Sequence, residues 1–194
     1  MSGTSGAPDY LRMPLGRFLE ALASGESAPG GGGAAAVALA LAAGLAGMAA
    51  RLSPEHLEEA GTLAREADQL REEVAPLAQA DAEAFGRVLA AYRLPRGREG
   101  REERIREALE EAAAVPLEMA RVGTRVARIA SRLVREGNPN LKGDAVAAVL
   151  LAEAGVRVAA ELVRANEPEG EKARRVERFV EEAFREREAL EGGG

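Results

Sequence analysis

Ala28-Pro29-Gly30-Gly31-Gly32-Gly33 runs straight into Ala34-Ala35-Ala36-Val37-Ala38-Leu39-Ala40-Leu41, and the reading of this stretch decides the fold. Four consecutive glycines free the backbone from the Cβ constraint, so it can bend sharply or approach a ligand closely. Pro29 biases Ala28 toward an extended conformation. The run from Ala34 to about Leu52 reads as a helix of almost entirely small apolar residues, thin enough to pack backbone against backbone. Its start offers unpaired N–H groups and the positive end of a dipole, which suits an anion. A tight turn with close helix contact accounts for the glycines as well as ligand binding does. The stretch is not a nucleotide fingerprint: the Lys-Ser/Thr of a phosphate loop is missing and no strand pattern precedes it.

Composition agrees with helix packed on helix. The chain has 194 residues, enough for one domain with a single core, and is 46% hydrophobic but only 3% aromatic, with no Trp. Cysteine is absent, which rules out disulfides and thiolate metal sites, and one histidine, His56, does not make a His-rich metal site. A net charge of −6 argues against nonspecific binding to nucleic acid or to an anionic membrane. Ala34 to Ala50 is uncharged but shorter than about 20 residues, so it reads as a core helix and not a membrane span. Met1 to Pro8 carry no basic-then-apolar leader, and the expected location is the cytoplasm.

Residues 1–10 and Gly192–Gly194 read as disordered, and residues 11–190 as one helical domain. Pro14 opens a first helix with Leu15, Phe18, Leu19 and Leu22 at spacings of three and four. Ser53-Pro54-Glu55 is a helix-restart signal with Ser as N-cap. A long helical pattern then runs to Leu94, with Pro76 expected to kink or split it. A second runs from about Gly100 to Glu136, with a kink near Pro116 and Gly137 as its cap. The turn Asn138-Pro139-Asn140-Leu141-Lys142-Gly143-Asp144 feeds another small-residue helix, Ala145 to about Asn166, which Pro168 and Gly170 stop. A charged helix from Glu171 to Leu190 closes the chain. No alternating strand pattern of any length is present. The expected fold is all-α: an antiparallel bundle of long, Pro-kinked helices around two small-residue core helices.

Two carboxylates stand out. Asp81 lies four residues after Leu77 and four before Phe85, on the face of both. A carboxylate so placed is either partly desolvated, with a raised pKa suited to moving protons, or paired with an arginine of a neighbouring helix. Asp144 opens the uncharged run Ala145–Ala152, where an N-cap role fully accounts for it. Asn138 and Asn140 are ordinary turn residues.

Taken in order, several segments resemble a known family. They are Ala28-Pro29-Gly30-Gly31-Gly32 before a small-residue helix, Asp81-Ala82-Glu83-Ala84-Phe85, Leu94-Pro95-Arg96, Val115-Pro116-Leu117, Gly137-Asn138 with Asp144, and Asn166. Their order and spacing resemble the formiminotetrahydrofolate cyclodeaminase and methenyltetrahydrofolate cyclohydrolase family, from about Pro14 to Leu190. The resemblance implies an all-helical fold that forms a homodimer or larger homo-oligomer. It implies a tetrahydrofolate derivative as substrate, with no metal and no tightly bound cofactor. Asp81 matches the family's acid and is the implied general acid/base. Asp144 matches an Asp that would hold the pterin or orient water. Pro29, Gly30, Gly31, Gly32 and Gly33, with Asn138, Asn140 and Asn166, are the implied substrate-binding residues.

The chain departs from the family pattern at four places. Ser53-Pro54-Glu55-His56-Leu57 stands where a basic pair is usual, and Gln79 where a second acid is usual. Gly143 replaces the Ser before Asp144, and Leu162 replaces an Asn. Two readings remain: an enzyme that acts on folate C–N bonds, as cyclohydrolase or cyclodeaminase, or a non-catalytic binding or assembly protein on the same scaffold. A cavity lined by the glycine loop and the acids favours the first; a cavity filled by Leu162 favours the second.

Overall fold

The computed structural model describes residues 9–167 and 170–190, and no strand occurs among them. The described helices are α1 (Leu15–Leu22), α2 (Gly31–Arg51), α3 (Ala60–Val74), α4 (Leu77–Tyr92), α5 (Arg101–Glu136), α6 (Lys142–Asn166) and α7 (Glu171–Glu188), with a 3-10 turn Pro139–Leu141 before α6. The all-α expectation holds. The disorder expected for the termini, and Pro168, fall outside the described residues, apart from residues 9 and 10. Tyr10 is buried, packed edge-on against Phe18 with ring centroids 5.8 Å apart.

α2 lies against α5 and α6 at the centre of the bundle. Leu39 is completely buried. A Cβ added to Gly123 of α5 would lie 2.6 Å from Leu39 Cδ2, and one added to Gly155 of α6 would lie at the same 2.6 Å. Leu39 thus fills a notch that exists because both facing residues lack a side chain. α6 runs antiparallel to α2: its last turn sits beside Gly30–Gly32, while the Asn138 turn that precedes it binds Leu52 at the far end of α2. α5 runs parallel to α2, from Ala112 near the glycines to Gly137 beside Ser53.

Several boundaries differ from the sequence reading. α2 begins at Gly31 and is 21 residues long, so it is long and apolar enough to cross a membrane by length and composition, although 56% of its most apolar window is buried in the bundle. Ser53 does not cap a new helix. Its hydroxyl donates to Ala49 O and accepts from the Asn138 N–H, so residues after it form only turns until α3 starts at Ala60. Ala75 and Pro76 separate α3 from α4, and α5 continues as one helix through the buried Pro116. α6 begins at Lys142, ahead of the expected Ala145, because the 3-10 turn feeds directly into it. Leu15 and Leu19 of α1 are exposed, and only Phe18 of the expected stripe is buried, because this short helix lies on the outside of the bundle.

The outer faces of α5 are laced to α3 and α7 by ion pairs: Arg125 with Glu66, Arg132 with Glu59, and Arg128 with Glu182. At this exposure each adds about 0.2–1 kcal/mol at most, so small-residue packing carries the fold. Gly155→Ala should cost about 1–3 kcal/mol through overpacking and lower the Tm by several degrees. Combining it with Leu39→Ala should give a deficit smaller than the sum of the two, by about 0.5 kcal/mol or more in a double-mutant cycle. Strict additivity in thermal unfolding would show that Leu39 does not meet the added methyl.

Candidate functional site

At the glycine end of α2 the bundle opens into a cavity of about 270 Å³. Gly30, Gly31 and Gly32 form one wall, and Asp81 and Phe85 of α4 form another. Leu162 and Asn166, from the last turns of α6, form the third, with Ala112 of α5 between them. The side-chain-free start of α2 lets α4 come close: a Cβ on Gly32 would overlap the carboxyl group of Asp81. Any other residue at this position would push the carboxylate aside. Behind this wall, the Gly33 backbone packs on Pro29, 3.2 Å from where its Cβ would be, and on the Phe18 ring. Pro29 and Gly33 therefore support the turn, whereas Gly30, Gly31 and Gly32 face the cavity.

Asp81 forms no ion pair among the described residues, so the reading in which an arginine neutralises it does not apply. Burial pushes its carboxyl above the ordinary carboxylate range, because the charged form loses solvation with no cation to compensate. The hydroxyl of Tyr10 is raised as well, first by burial and then by the Asp81 charge. The nearness of Tyr10 to the acid had no local sequence signal, since it depends on how the segment before α1 folds back. Asn166 spends its Nδ2 on Leu162 O at 2.9 Å, leaving its Oδ1 as an acceptor. Gln79 donates to Glu83 and holds its Oε1 buried without a partner among the described residues. Leu162 lies on the cavity wall without filling the space.

The remaining candidates lie elsewhere. Asn138 donates its backbone N–H to Ser53 Oγ and its Nδ2 to Leu52 O, both at 2.9 Å, and its Oδ1 accepts from the Asn140 N–H. This staples the α5–α6 turn to the C-terminal end of α2. Asp144 sits in the first turn of α6 without capping it, where its charge complements the helix dipole. Asn166, at the opposite end of the same helix, is about 33 Å away. Within one chain, Asp144, Asn138 and Asn140 therefore do not share a cavity with Asp81. His56 is exposed in the turn before α3. Among the described residues no three acid or histidine side chains are grouped to hold a metal.

The fold and site together define an all-helical domain with a half-buried carboxylate, unpaired among the described residues, at a glycine-walled cavity. Residues 14–185 match the model of the formiminotransferase-cyclodeaminase family, and the chain belongs to that family. It is 37% identical over 183 residues to the methenyltetrahydrofolate cyclohydrolase of Methylorubrum extorquens, covering 89% of this chain and 86% of the relative. It is 30% identical to the formimidoyltransferase-cyclodeaminase of Gallus gallus over 75% of this chain, a match that spans only 29% of the avian protein. The fold matches the crystal structure of formiminotetrahydrofolate cyclodeaminase from Thermotoga maritima with a TM-score of 0.77, at 28% identity, over 95% of this chain and 93% of that one.

The state of Asp81 has a consequence for stability. Its folded pKa lies above its unfolded value, so the folded state binds more protons across that window and stability falls as pH rises through it. Asp81→Asn should therefore raise the Tm at neutral pH and leave it nearly unchanged at pH values below the ordinary carboxylate range. A Tm lowered at neutral pH would mean that the carboxylate is stabilised by a partner.

Proposed function

We propose that this protein is a folate one-carbon enzyme that hydrolyses the methenyl bridge of methenyltetrahydrofolate, with Asp81 as the group that moves the proton. The observation that carries this reading is the Asp81 carboxylate, unpaired and desolvated, seated on Gly32 at the wall of an open cavity. The similarity to a cyclohydrolase favours hydrolysis, and the structural match to a cyclodeaminase supports loss of ammonia as the second reading. The cavity stays open beside Leu162, which speaks for catalysis over a degraded binding module.

In the hydrolytic reaction a water adds to the methenyl carbon between N5 and N10, and Asp81 accepts one of its protons. As the bond from that carbon to N5 breaks, Asp81 returns the proton to N5. The remaining hydroxyl proton leaves as the formyl C=O forms on N10. In the second reading N10 closes on the formimino carbon as its own proton passes to the imino nitrogen; protonated Asp81 adds one more proton there, and the bond from carbon to that nitrogen breaks to release ammonia and leave the methenyl bridge. One carboxylate serves both, and a raised pKa brings its proton affinity closer to those of the groups it exchanges with. The bare backbone of Gly30–Gly32 lies against the flat pterin, and Asn166 Oδ1 accepts from a ring N–H. The substrate is the tetrahydrofolate compound itself, with no tightly bound cofactor, and the reaction takes place in the cytoplasm without nucleic acid or membrane partners.

Asp81→Asn should lower kcat by about 10²–10⁴ while leaving the helical signal intact. As a base, Asp81 acts ionised, so kcat/KM of the parent protein should fall as pH drops through the raised pKa, and this acid limb should disappear in the variant. An unchanged rate in a spectrophotometric assay of methenyltetrahydrofolate would remove Asp81 from this role.

The working unit is a homodimer. Leu41 and Met48 of α2, Leu52 just past its end, and Leu150 and Val158 of its neighbour α6 are exposed. Apolar side chains along two adjacent helices suit a second copy through a self-complementary contact. A two-fold axis crossing α2 near its middle would set the glycine end of each chain against the Asn138–Asp144 end of the other. Asp144 of the partner subunit would then complete the cavity. Asp81→Asn and Asp144→Asn should each be inactive alone, yet recover about a quarter of the parent activity when unfolded and refolded together. Mixed dimers with no recovery would place both acids in one chain's site.

A further inference from the structure

Tyr10 carries a buried hydroxyl that the proton chemistry leaves unused, and it lies outside residues 14–185, the stretch that matches the family model. A short turn delivers it. Asp9 Oδ1 accepts from the Leu11 N–H and Asp9 O from the Arg12 N–H, both at 3.1 Å, and Arg12 pairs with Asp9 at 3.3 Å. The turn sends Leu11 and Arg12 outward, where both are exposed, and Tyr10 inward to 7% exposure. There its ring meets Phe18 with 74° between the planes. Phe18 in turn packs behind the glycine wall, 4.0 Å from where a Cβ on Gly33 would lie. Successive residues at the start of α2 point about 100° apart. Gly32 therefore seats Asp81 on one side of the helix, and Gly33 seats Phe18 on the next. Tyr10, at the edge of Phe18, comes round to the acid, near enough for the Asp81 charge to act on its hydroxyl.

A buried tyrosine hydroxyl ordinarily finds a hydrogen-bond partner. That of Tyr10 has none among the described residues, and neither has the Asp81 carboxylate. The phenol keeps its proton, because burial and the nearby anion both make the phenolate costly. A neutral hydroxyl rotates, and the field of an anion turns its hydrogen toward the charge. The dipole so oriented favours ionised Asp81 and offsets part of what burial takes from it. The other titratable groups around the pair face elsewhere or are engaged. α2 carries none before Arg51, α5 presents Ala112 to the cavity, and α6 presents Leu162 and Asn166. On α4, Glu83 accepts from Gln79, and Glu26 in the loop before the glycines is exposed and does not line the cavity. On the Tyr10 side, Asp9 pairs with Arg12, and Arg17 with Glu20.

We propose that Tyr10 is a positioning residue of this site: held by Phe18 behind the glycine wall, its neutral hydroxyl turns its hydrogen toward Asp81 and keeps the carboxylate in the ionised form that accepts a proton from water. The role rests on the hydrolytic reading above and adds a residue to it. Tyr10 does not line the cavity, so it acts through Asp81 and not on the substrate.

The chain holds two tyrosines and no tryptophan, so tyrosinate absorbance reads Tyr10 alone once the exposed Tyr92 is replaced. In full-length Tyr92→Phe, the Tyr10 midpoint should lie above the ordinary tyrosine range. Adding Asp81→Asn should lower it by about 0.5–1 pH unit, with the helical signal followed alongside. The reciprocal effect is read in turnover of methenyltetrahydrofolate. Tyr10→Phe keeps the ring on Phe18 and removes only the hydroxyl. The acid limb of kcat/KM should therefore move up by about 0.3–1 pH unit, while the plateau at higher pH stays within about twofold of the parent. Tyr10→Leu should show the same displaced limb together with a lower Tm, because the ring is lost as well. A Tyr10 midpoint indifferent to Asp81→Asn would overturn the proposal, and so would an acid limb that stays in place or moves down in Tyr10→Phe. A lowered Tm in Tyr10→Phe with an unmoved limb would reduce Tyr10 to packing and reject the role. No turnover by the parent protein would remove the folate reading, and the tyrosinate titration would then decide the coupling of Tyr10 to Asp81 by itself.

Discussion

The bundle depends on how closely α2 approaches α5 and α6, and that distance is set where Leu39 enters the notch left by Gly123 and Gly155. A Cβ on either glycine would lie 2.6 Å from the leucine, so the three helices meet at a separation that larger residues would not permit. Dispersion falls off steeply with distance, and close-packed small residues recover in contact what they lack in size. Helices of Ala, Gly and Val therefore form a core with few aromatic rings. The ion pairs that line α5 ornament this arrangement and do not create it.

The same absence of side chains that lets helices approach also builds the site. Gly32 does for Asp81 what Gly123 and Gly155 do for Leu39: it makes room for a group from another helix. The difference lies in the group admitted. Leu39 gains from leaving water, whereas Asp81 loses solvation and holds its proton more tightly. This costs stability at neutral pH, and the close packing elsewhere in the bundle absorbs it.

Much of this was legible in the sequence. The 3.6-residue spacing, the paucity of rings and the absence of alternation pointed to all-α from the chain alone. The placing of Asp81 beside Leu77 and Phe85 on one face marked it as an acid either partly desolvated or paired with an arginine, and the structure shows it half-buried with no ion pair among the described residues. Local signals misled where one side chain had two possible partners. Ser53 before Pro54 had the form of an N-cap, yet its hydroxyl is engaged by Ala49 O and Asn138 N, and the helix waits until Ala60. The closeness of Tyr10 to Asp81 had no local signal at all, because it joins residues far apart in the chain.

By itself, then, the sequence determined the helices and their thinness, the glycine turn and the candidate acid, because propensity, periodicity and capping act over a few residues. The tertiary structure alone decided which candidates meet. It set Asp81 on Gly32 with no ion pair among the described residues, brought Asn166 to the same cavity, and carried Asn138 and Asp144 to the other end of α2. The physical reason is the direction of α6. Running antiparallel to α2, it takes its two ends to opposite ends of the bundle, and direction is settled by long-range packing that no local pattern encodes.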